Sequence, residues 1–410
     1  MPIHLDDYRE VAGPGVIEEL RCLASRVSGR TMQHINSTPV GGGVAEILTR
    51  LVPLLRELGV DASWDVIKGD HAFFSVTKAF HNALHGKPEE ITSAMYEIYR
   101  ATTEMNLSDF KFTGDTIFVH DPQPAGLIAR KREIGRRWVW RCHIDVSAPQ
   151  PDVWEFLRPV IEQYDAAVFS MPDFAQRLPM PQFRIAPSID PLSDKNKPLD
   201  GGCVTKVLEK YQIDPDRPIL TQISRFDRFK DPLGVIAAYR LVKKRHRRCQ
   251  LVLAGGGAPD DPEGEQVLRD VQQAAADDPD IHVLLLPPFS DLEINALARG
   301  STVMMQKSIR EGFGLTVSEA LWKKKAVVGG AAGGIKLQII DGITGFLVHS
   351  AEGAANRVAQ LLSDRRLRDK MGENGFQHVR QNFLVTRHIR DYILTMLALE
   401  HSGESMIYLN

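Results

Sequence analysis

Glu311 and Glu319 have seven residues between them in the stretch Ser308-Ile309-Arg310-Glu311-Gly312-Phe313-Gly314-Leu315-Thr316-Val317-Ser318-Glu319. Glu311 falls in a glycine-containing turn, and those glycines let backbone N–H groups approach a ligand closely. A helix is expected over residues 315–324, which places Glu319 two turns further on. The start of such a helix carries partial positive charge and favours an anion. Two carboxylates beside an anion site suit a ligand that bears both a phosphate and sugar hydroxyls, which describes a nucleotide sugar. Taken alone, the spacing also fits a helix with one buried and one solvated glutamate.

A second group of residues bears on that choice. Ser224-Arg225-Phe226-Asp227-Arg228-Phe229-Lys230-Asp231-Pro232 follows an expected strand and precedes an expected helix. Arg225 offers a planar fork of donors and Lys230 a compact charge, so both suit one anion. A diphosphate leaving group needs such neutralisation when its bond to a sugar breaks. A solvated loop is the alternative. Gly41-Gly42-Gly43 opens another expected helix and reads either as an anion loop or as a tight turn. Ala254-Gly255-Gly256-Gly257 follows a strand, but Asp260 breaks the GxGxxG pattern, which weakens a nicotinamide reading. There is no GxxxxGKS/T phosphate loop.

Two histidines end expected strands, each with an aspartate close behind: His120 with Asp121, and His143 with Asp145. His143 could hydrogen-bond a sugar hydroxyl or a developing charge, and Asp121 could accept from an acceptor hydroxyl. The other histidines show no metal spacing, and no GxSxG elbow is present.

The elements that must position these groups alternate. A strand is expected over residues 31–35. An apolar helix follows with Val44, Ile47, Leu48, Leu51, Leu55 and Leu58 in register, and Pro53 should bend or break it. Strands are expected at 61–68, 116–120, 138–143, 166–170 and 183–186, then at 219–224, 249–254, 282–286, 303–306, 326–329 and 345–348. Helices are expected over 233–244 and 293–300, and they dominate from Ala351 onward. This rhythm implies an α/β fold with mostly parallel sheets and helices on both faces. Residues 187–203, rich in Pro, Asp, Ser, Lys and Gly, break it and read as an interdomain crossing. The expected division is 1–187, 188–385 and a helical tail over 386–410, with the ligand at strand C-terminal ends in the cleft between two such domains. The tail, apolar at Ile389, Tyr392, Ile393, Met396 and Leu397, packs back on the first domain or onto another subunit.

Composition narrows the class. The chain has 410 residues, enough for two domains of ordinary size. Its net charge of −2 gives no global basic field for nucleic acid or an anionic membrane surface. The basic run 243–248 reads as the C-terminal cap of a helix. Four cysteines without a CxxC pair indicate neither a disulfide framework nor a zinc site. No apolar signal core begins the sequence and no apolar run reaches membrane length, so a cytoplasmic enzyme is expected.

Arg225 with Lys230, Glu311 with Glu319, and the Gly41–Gly43 loop together resemble the retaining nucleotide-sugar glycosyltransferases of family 4. These have the GT-B architecture: two Rossmann-like doubly wound domains facing across a deep cleft. The resemblance covers nearly the whole chain. It implies that Arg225 and Lys230 hold the donor diphosphate, that Glu311 contacts the donor sugar and that Glu319 holds the ribose hydroxyls. Gly42, Gly43 and the segment Phe313, Gly314, Leu315 and Thr316 would meet the donor as well. Residues 34–38, 41–47, 120–125, 140–145 and 333–338 look closer still to the trehalose glycosyltransferring synthases, which join a nucleoside-diphosphate glucose to free glucose. In that pattern Glu311, His143 and Asp121 are catalytic, and Asn36, His120 and Asp121 bind the acceptor. The resemblance further implies retention, no metal or other cofactor, small-molecule substrates only (UDP- or ADP-glucose, glucose and trehalose) and a possible homodimer. Phe229 departs from the tryptophan more usual before the lysine. Retaining trehalose phosphorylases share much of the pattern and use phosphate. A sugar- or nucleotide-binding protein on the same fold, a family 4 transferase with another acceptor, and an NAD-dependent oxidoreductase are the remaining alternatives.

Overall fold

Short apolar runs fill strands buried on both faces, and amphipathic segments between them form the covering helices. In the computed structural model these runs make two parallel six-stranded sheets. The structure describes residues 3–40, 42–256 and 262–404. The chain divides into one unit of Met1–Ser188 with Val385–Asn410 and another of Ile189–Leu384.

The strands of the first unit are β1 (Thr31–Asn36), β2 (Asp61–Val66), β3 (Thr116–His120), β4 (Arg137–Cys142), β5 (Ala166–Phe169) and β6 (Gln182–Arg184). Their order is β2-β1-β3-β4-β5-β6, all parallel. Strand progression reverses between β1 and β3. In open parallel sheets ligands bind beyond the strand C-termini at such a reversal. Asn36 ends β1 and His120 ends β3, so the polar residues singled out in the sequence stand at that point.

The second unit holds β7 (Ile219–Ile223), β8 (Gln250–Gly256), β9 (Ile281–Leu286), β10 (Val303–Gln306), β11 (Val327–Gly330) and β12 (Gly345–Val348), in the order β12-β11-β10-β7-β8-β9. Here the reversal falls between β7 and β10. Arg225 follows β7, and Glu311 follows β10.

Three expectations need correction. The helix Gly42–Glu57 does not break at Pro53, which lies on its exposed side, where losing one backbone hydrogen bond leaves no polar group sealed in the core. The helix after Gly314 ends at Trp322, because Lys323 leaves helical geometry and Lys324 turns left-handed with φ of 58°. The break after residue 187 is shorter than expected, since a helix already starts at Gly201, capped by the Asp200 carboxylate on the Cys203 N–H at 2.8 Å.

The helix Val385–Glu400 belongs to the first unit, where it packs on the helices Pro14–Arg26 and Gly42–Glu57. Ile389, Tyr392, Ile393 and Met396 are fully buried there. Residues 4 apart on one helical face account for that stripe. Ile389→Ala is expected to lower the first unit's stability by about 2–5 kcal/mol in urea unfolding, the range for truncating a buried isoleucine. A change below about 1 kcal/mol would mean that this helix does not share the unit's core.

Candidate active site

In the second unit, the β7 and β10 ends are joined by one ion pair. Lys230 Nζ donates to both oxygens of Glu311, at 2.8 and 2.6 Å. Their side chains are only 18% and 9% exposed, so each charge depends on the other for compensation. Ser308 Oγ donates to Glu311 Oε2 at 3.0 Å and receives from Gln306 Nε2 at 3.0 Å. Thr316 Oγ1 donates to Gln306 Oε1 at 3.2 Å, which ties the first turn of the helix Leu315–Trp322 to the same network. On the other side Gln222 bridges the strands, donating to the Lys230 carbonyl at 3.0 Å and accepting from the Lys307 N–H at 3.2 Å. Lys307 is paired in turn with the Asp231 carboxylate.

Glycine makes the corner possible. A Cβ on Gly333 would lie 1.6 Å from the Glu311 carbonyl oxygen, and one on Gly334 would lie 2.6 Å from the Phe313 Cα. Gly314 has φ of 82° and precedes the helix with no side-chain cap, so the first helical amides stay open. Gln338 holds the turn from behind through the Phe313 carbonyl at 2.6 Å and Ser318 Oγ at 2.6 Å. Phe313 is buried, while Gly314, Leu315 and Thr316 are partly exposed. Glu319 is buried on the same helix, yet among the described residues nothing hydrogen-bonds its carboxylate. Arg225 is 57% exposed and lies 3.6 Å from the Asp227 carboxylate. This part of the unit therefore offers an exposed guanidinium, a paired ammonium, uncapped helix amides and a second carboxylate with no hydrogen-bond partner among the described residues.

The first unit gathers a different set. Imidazoles link in series: His34 Nδ1 to His120 Nε2 at 3.0 Å, and His120 Nδ1 to His143 Nε2 at 2.9 Å. His388, from the C-terminal helix, lies by this group and hydrogen-bonds Ser188 Oγ at 2.8 Å. His34, His120 and His388 are buried, whereas His143 keeps partial exposure. Burial pushes His34 down to about 3. Burial, then neighbouring imidazoles and the buried Arg141 guanidinium, hold His120 well below the usual range; burial, then Arg141, His388 and His34, do so for His143. Burial, then Arg387 and Arg141, keep His388 uncharged too. Asp121 has left-handed φ of 68°, and its Oδ1 accepts from the His143 N–H at 2.7 Å. Burial raises its carboxyl to about 6 against the pull of that N–H and of Arg141.

Not every expected residue is free for a ligand. Asn36 donates to the Thr38 carbonyl at 2.8 Å and accepts from Trp64 Nε1 at 2.9 Å, so its amide is engaged inside the unit. Both ring nitrogens of His120 are taken by other histidines, and the bonded oxygen of Asp121 points to backbone. Gly42 and Gly43 form the first turn of their helix, and Gly41 and Asp260 lie outside the described residues. His34, Arg141 and His388 have no role of their own in the sequence reading; for His34 the available signal was its place two residues from Met32, on the same face of one strand. Among the described residues, no group of three or more His, Cys, Asp and Glu side chains is arranged for a metal. Nor is any helix among them long and apolar enough to cross a membrane.

The imidazole group fixes a pH response. An imidazole with a depressed pKa contributes stability above its unfolded value of 6.5, and that stability is lost as pH falls towards the folded value. The raised Asp121 carboxyl acts in the opposite sense between 3.8 and about 6, but one carboxyl opposes four imidazoles. Stability is therefore expected to fall on acidification from about 6.5 towards about 3. His34→Gln should flatten the pH dependence of the urea midpoint, and an unaltered slope would show that His34 titrates normally.

The comparisons with known proteins agree with this arrangement of elements. Residues 34–176 match the domain family described as trehalose synthase, N-terminal domain, and residues 204–378 match glycosyl transferases group 1. A trehalose synthase of Thermococcus litoralis is 45% identical over 397 residues, covering 95% of each chain. A trehalose phosphorylase of Pleurotus pulmonarius is 29% identical over 433 residues, covering 92% of this chain and 58% of its own. The solved α,α-trehalose-phosphate synthase (UDP-forming) of Burkholderia vietnamiensis has a TM-score of 0.72 at 14% identity, covering 90% of this chain and 98% of its own, and so shares the two-sheet GT-B fold. With strand ends, paired carboxylate and relatives in agreement, the chain belongs to the trehalose synthase family of GT-B glycosyltransferases.

Proposed function

We propose that the protein moves glucose from UDP- or ADP-glucose to free glucose with retention of the α configuration, forming trehalose and the nucleoside diphosphate. The observation that carries this reading is the corner after β7 and β10. It joins Lys230 to Glu311 ahead of uncapped helix amides, with Arg225 on the same loop as Lys230 and Glu319 on the helix that follows. Cationic and amide donors suit a diphosphate, and the two carboxylates suit sugar and ribose hydroxyls. The relatives named trehalose synthase support the same product.

In this reading Arg225, Lys230 and the amides of Leu315 and Thr316 neutralise the departing diphosphate, and no metal is needed. The two hydrogen bonds to Glu311 hold the Lys230 ammonium in place. The bond from C1 to the phosphate oxygen breaks while the acceptor hydroxyl oxygen bonds to C1 on the same face. That hydroxyl's proton passes to the departing phosphate oxygen, which balances the step and retains configuration. No carboxylate acts as a nucleophile, in contrast to retaining glycoside hydrolysis. Glu311 steadies the charge that develops on the sugar. In the first unit, His143 contacts a sugar hydroxyl, and Asp121 holds its backbone.

The test is incubation with UDP-glucose or ADP-glucose and glucose, without phosphate, following both products. Trehalose should appear in step with nucleoside diphosphate, and Glu311→Ala should lower kcat about 100- to 1,000-fold with the circular dichroism spectrum unchanged. Turnover that requires phosphate and exchanges trehalose with glucose 1-phosphate would instead support the phosphorylase reading, which the more distant relative suggests. A folded Glu311→Ala variant with parental kcat would remove Glu311 from the chemistry.

A further inference from the structure

We propose that Met32, acting through His34 and His120, holds His143 in the tautomer that carries its proton on Nε2 and presents Nδ1 as a bare hydrogen-bond acceptor to a sugar hydroxyl. The last clause rests on the function proposed above; the tautomer does not.

A neutral imidazole has one N–H and one lone pair, so in a series of imidazoles each link needs one donor and one acceptor. The links are His34 Nδ1 with His120 Nε2 at 3.0 Å and His120 Nδ1 with His143 Nε2 at 2.9 Å. With all three rings uncharged, every proton must point the same way, inward or outward. The inner end decides which. His34 Nε2 lies 3.1 Å from Met32 Sδ. A thioether has no hydrogen to give and can only accept. Inward polarity puts a proton on His34 Nε2 and makes that contact a hydrogen bond. Outward polarity sets two lone pairs against one another and loses it. Inward polarity therefore wins: His143 Nε2–H donates to His120, His120 Nε2–H donates to His34, and His34 Nε2–H donates to the sulfur.

The outer end is consistent with this. Among the described residues nothing hydrogen-bonds His143 Nδ1, and His143 is the partly exposed member of the series. The groups facing the series come from several elements: Arg141 on β4, Asp121 after β3, and His388 and Tyr392 on the C-terminal helix. Arg141 opposes a second proton on His120 and His143, burial opposes one on His34, and Asp121 bonds the His143 backbone rather than its ring. Phe118 stacks on His34 and Tyr392 meets its edge, which keeps the inner ring from turning over. His34 and His120 are thus positioning residues. An acceptor-only Nδ1 reads a hydroxyl by its hydrogen, and a fluorine in that hydroxyl's place has no hydrogen to offer.

Nitrogen-15 NMR of the imidazole rings in the free protein tests this directly. His34, His120 and His143 should each show a protonated Nε2 and a bare Nδ1 across the neutral pH range. Met32→Leu keeps nearly the same volume and removes the sulfur acceptor. It should give a mixture of tautomers at His143 and lower kcat about two- to tenfold, the effect of one neutral hydrogen bond. A proton on His143 Nδ1 in the parent protein would overturn the assignment, as would a Met32→Leu spectrum with the parental tautomer. Absence of trehalose synthesis alongside the expected spectra would remove the proposed function and leave the tautomer standing.

Discussion

A lysine and a glutamate that are both largely out of solvent face one another, and the corner of the second unit is built around that pair. Lys230 follows β7 and Glu311 follows β10, the two strands at which progression across the sheet reverses. Bringing them together needs the chain after β11 to pass so close that Gly333 and Gly334 have no room for a Cβ. The hydroxyl of Ser308 and the amides of Gln222 and Gln306 then saturate the groups the pair leaves over. Removing one partner would leave a buried charge uncompensated, which costs far more than the pair itself contributes. The corner is therefore held by paired charge and by close backbone approach at the same point.

The first unit solves the opposite problem. Its histidines by the β1, β3 and β4 ends are kept uncharged. An added proton would be opposed by desolvation at His34, and by desolvation together with the buried Arg141 guanidinium at His120, His143 and His388. Arg141 itself is held by the Ile185 carbonyl at 2.6 Å, an acceptor without charge. What this region can give a ligand is directional hydrogen bonding from neutral groups, with direction set by tautomer rather than by titration.

Much of this was legible from the sequence where a local rule applied. The βαβ rhythm gave every strand used here, because parallel strands buried on both faces read as continuous apolar runs. Arg225, Lys230, Glu311 and Glu319 stood out because loops after strands carry ligands and because their charges needed a purpose. The imidazole series did not stand out. His34 and His120 sit on separate strands, and His388 is 200 residues from the serine that holds it, so only tertiary packing brings them together. Asn36 and Asp121 were visible as polar residues at strand ends, but periodicity says nothing about whether such a side chain turns outward or back to its own fold. Here Asn36 is closed by Trp64, and the left-handed backbone at Asp121 turns its carboxylate to the His143 N–H. The unbroken helix at Pro53 shows the same limit, since a proline's effect depends on which side of the helix meets solvent.

The two units differ in the kind of group each could bind. On the function proposed above, the substrates carry both charged phosphates and neutral hydroxyls, and these need different surroundings. Phosphates are bound by cations and amides, and strongly, even against water. Sugar hydroxyls are neutral donors and acceptors, and a charge beside them would bind any polar solute about as well as the right one. Discrimination among hydroxyls needs donors and acceptors fixed in place, since a site built around a particular hydrogen rejects the analogue lacking it. A ring free to change tautomer would accept either partner. Met32, with no hydrogen to give, removes that freedom at one end of the series, and burial removes the charged state along its length. On the function proposed above, selectivity for a neutral sugar would depend on a sulfur atom two imidazoles away from the ring that would touch it.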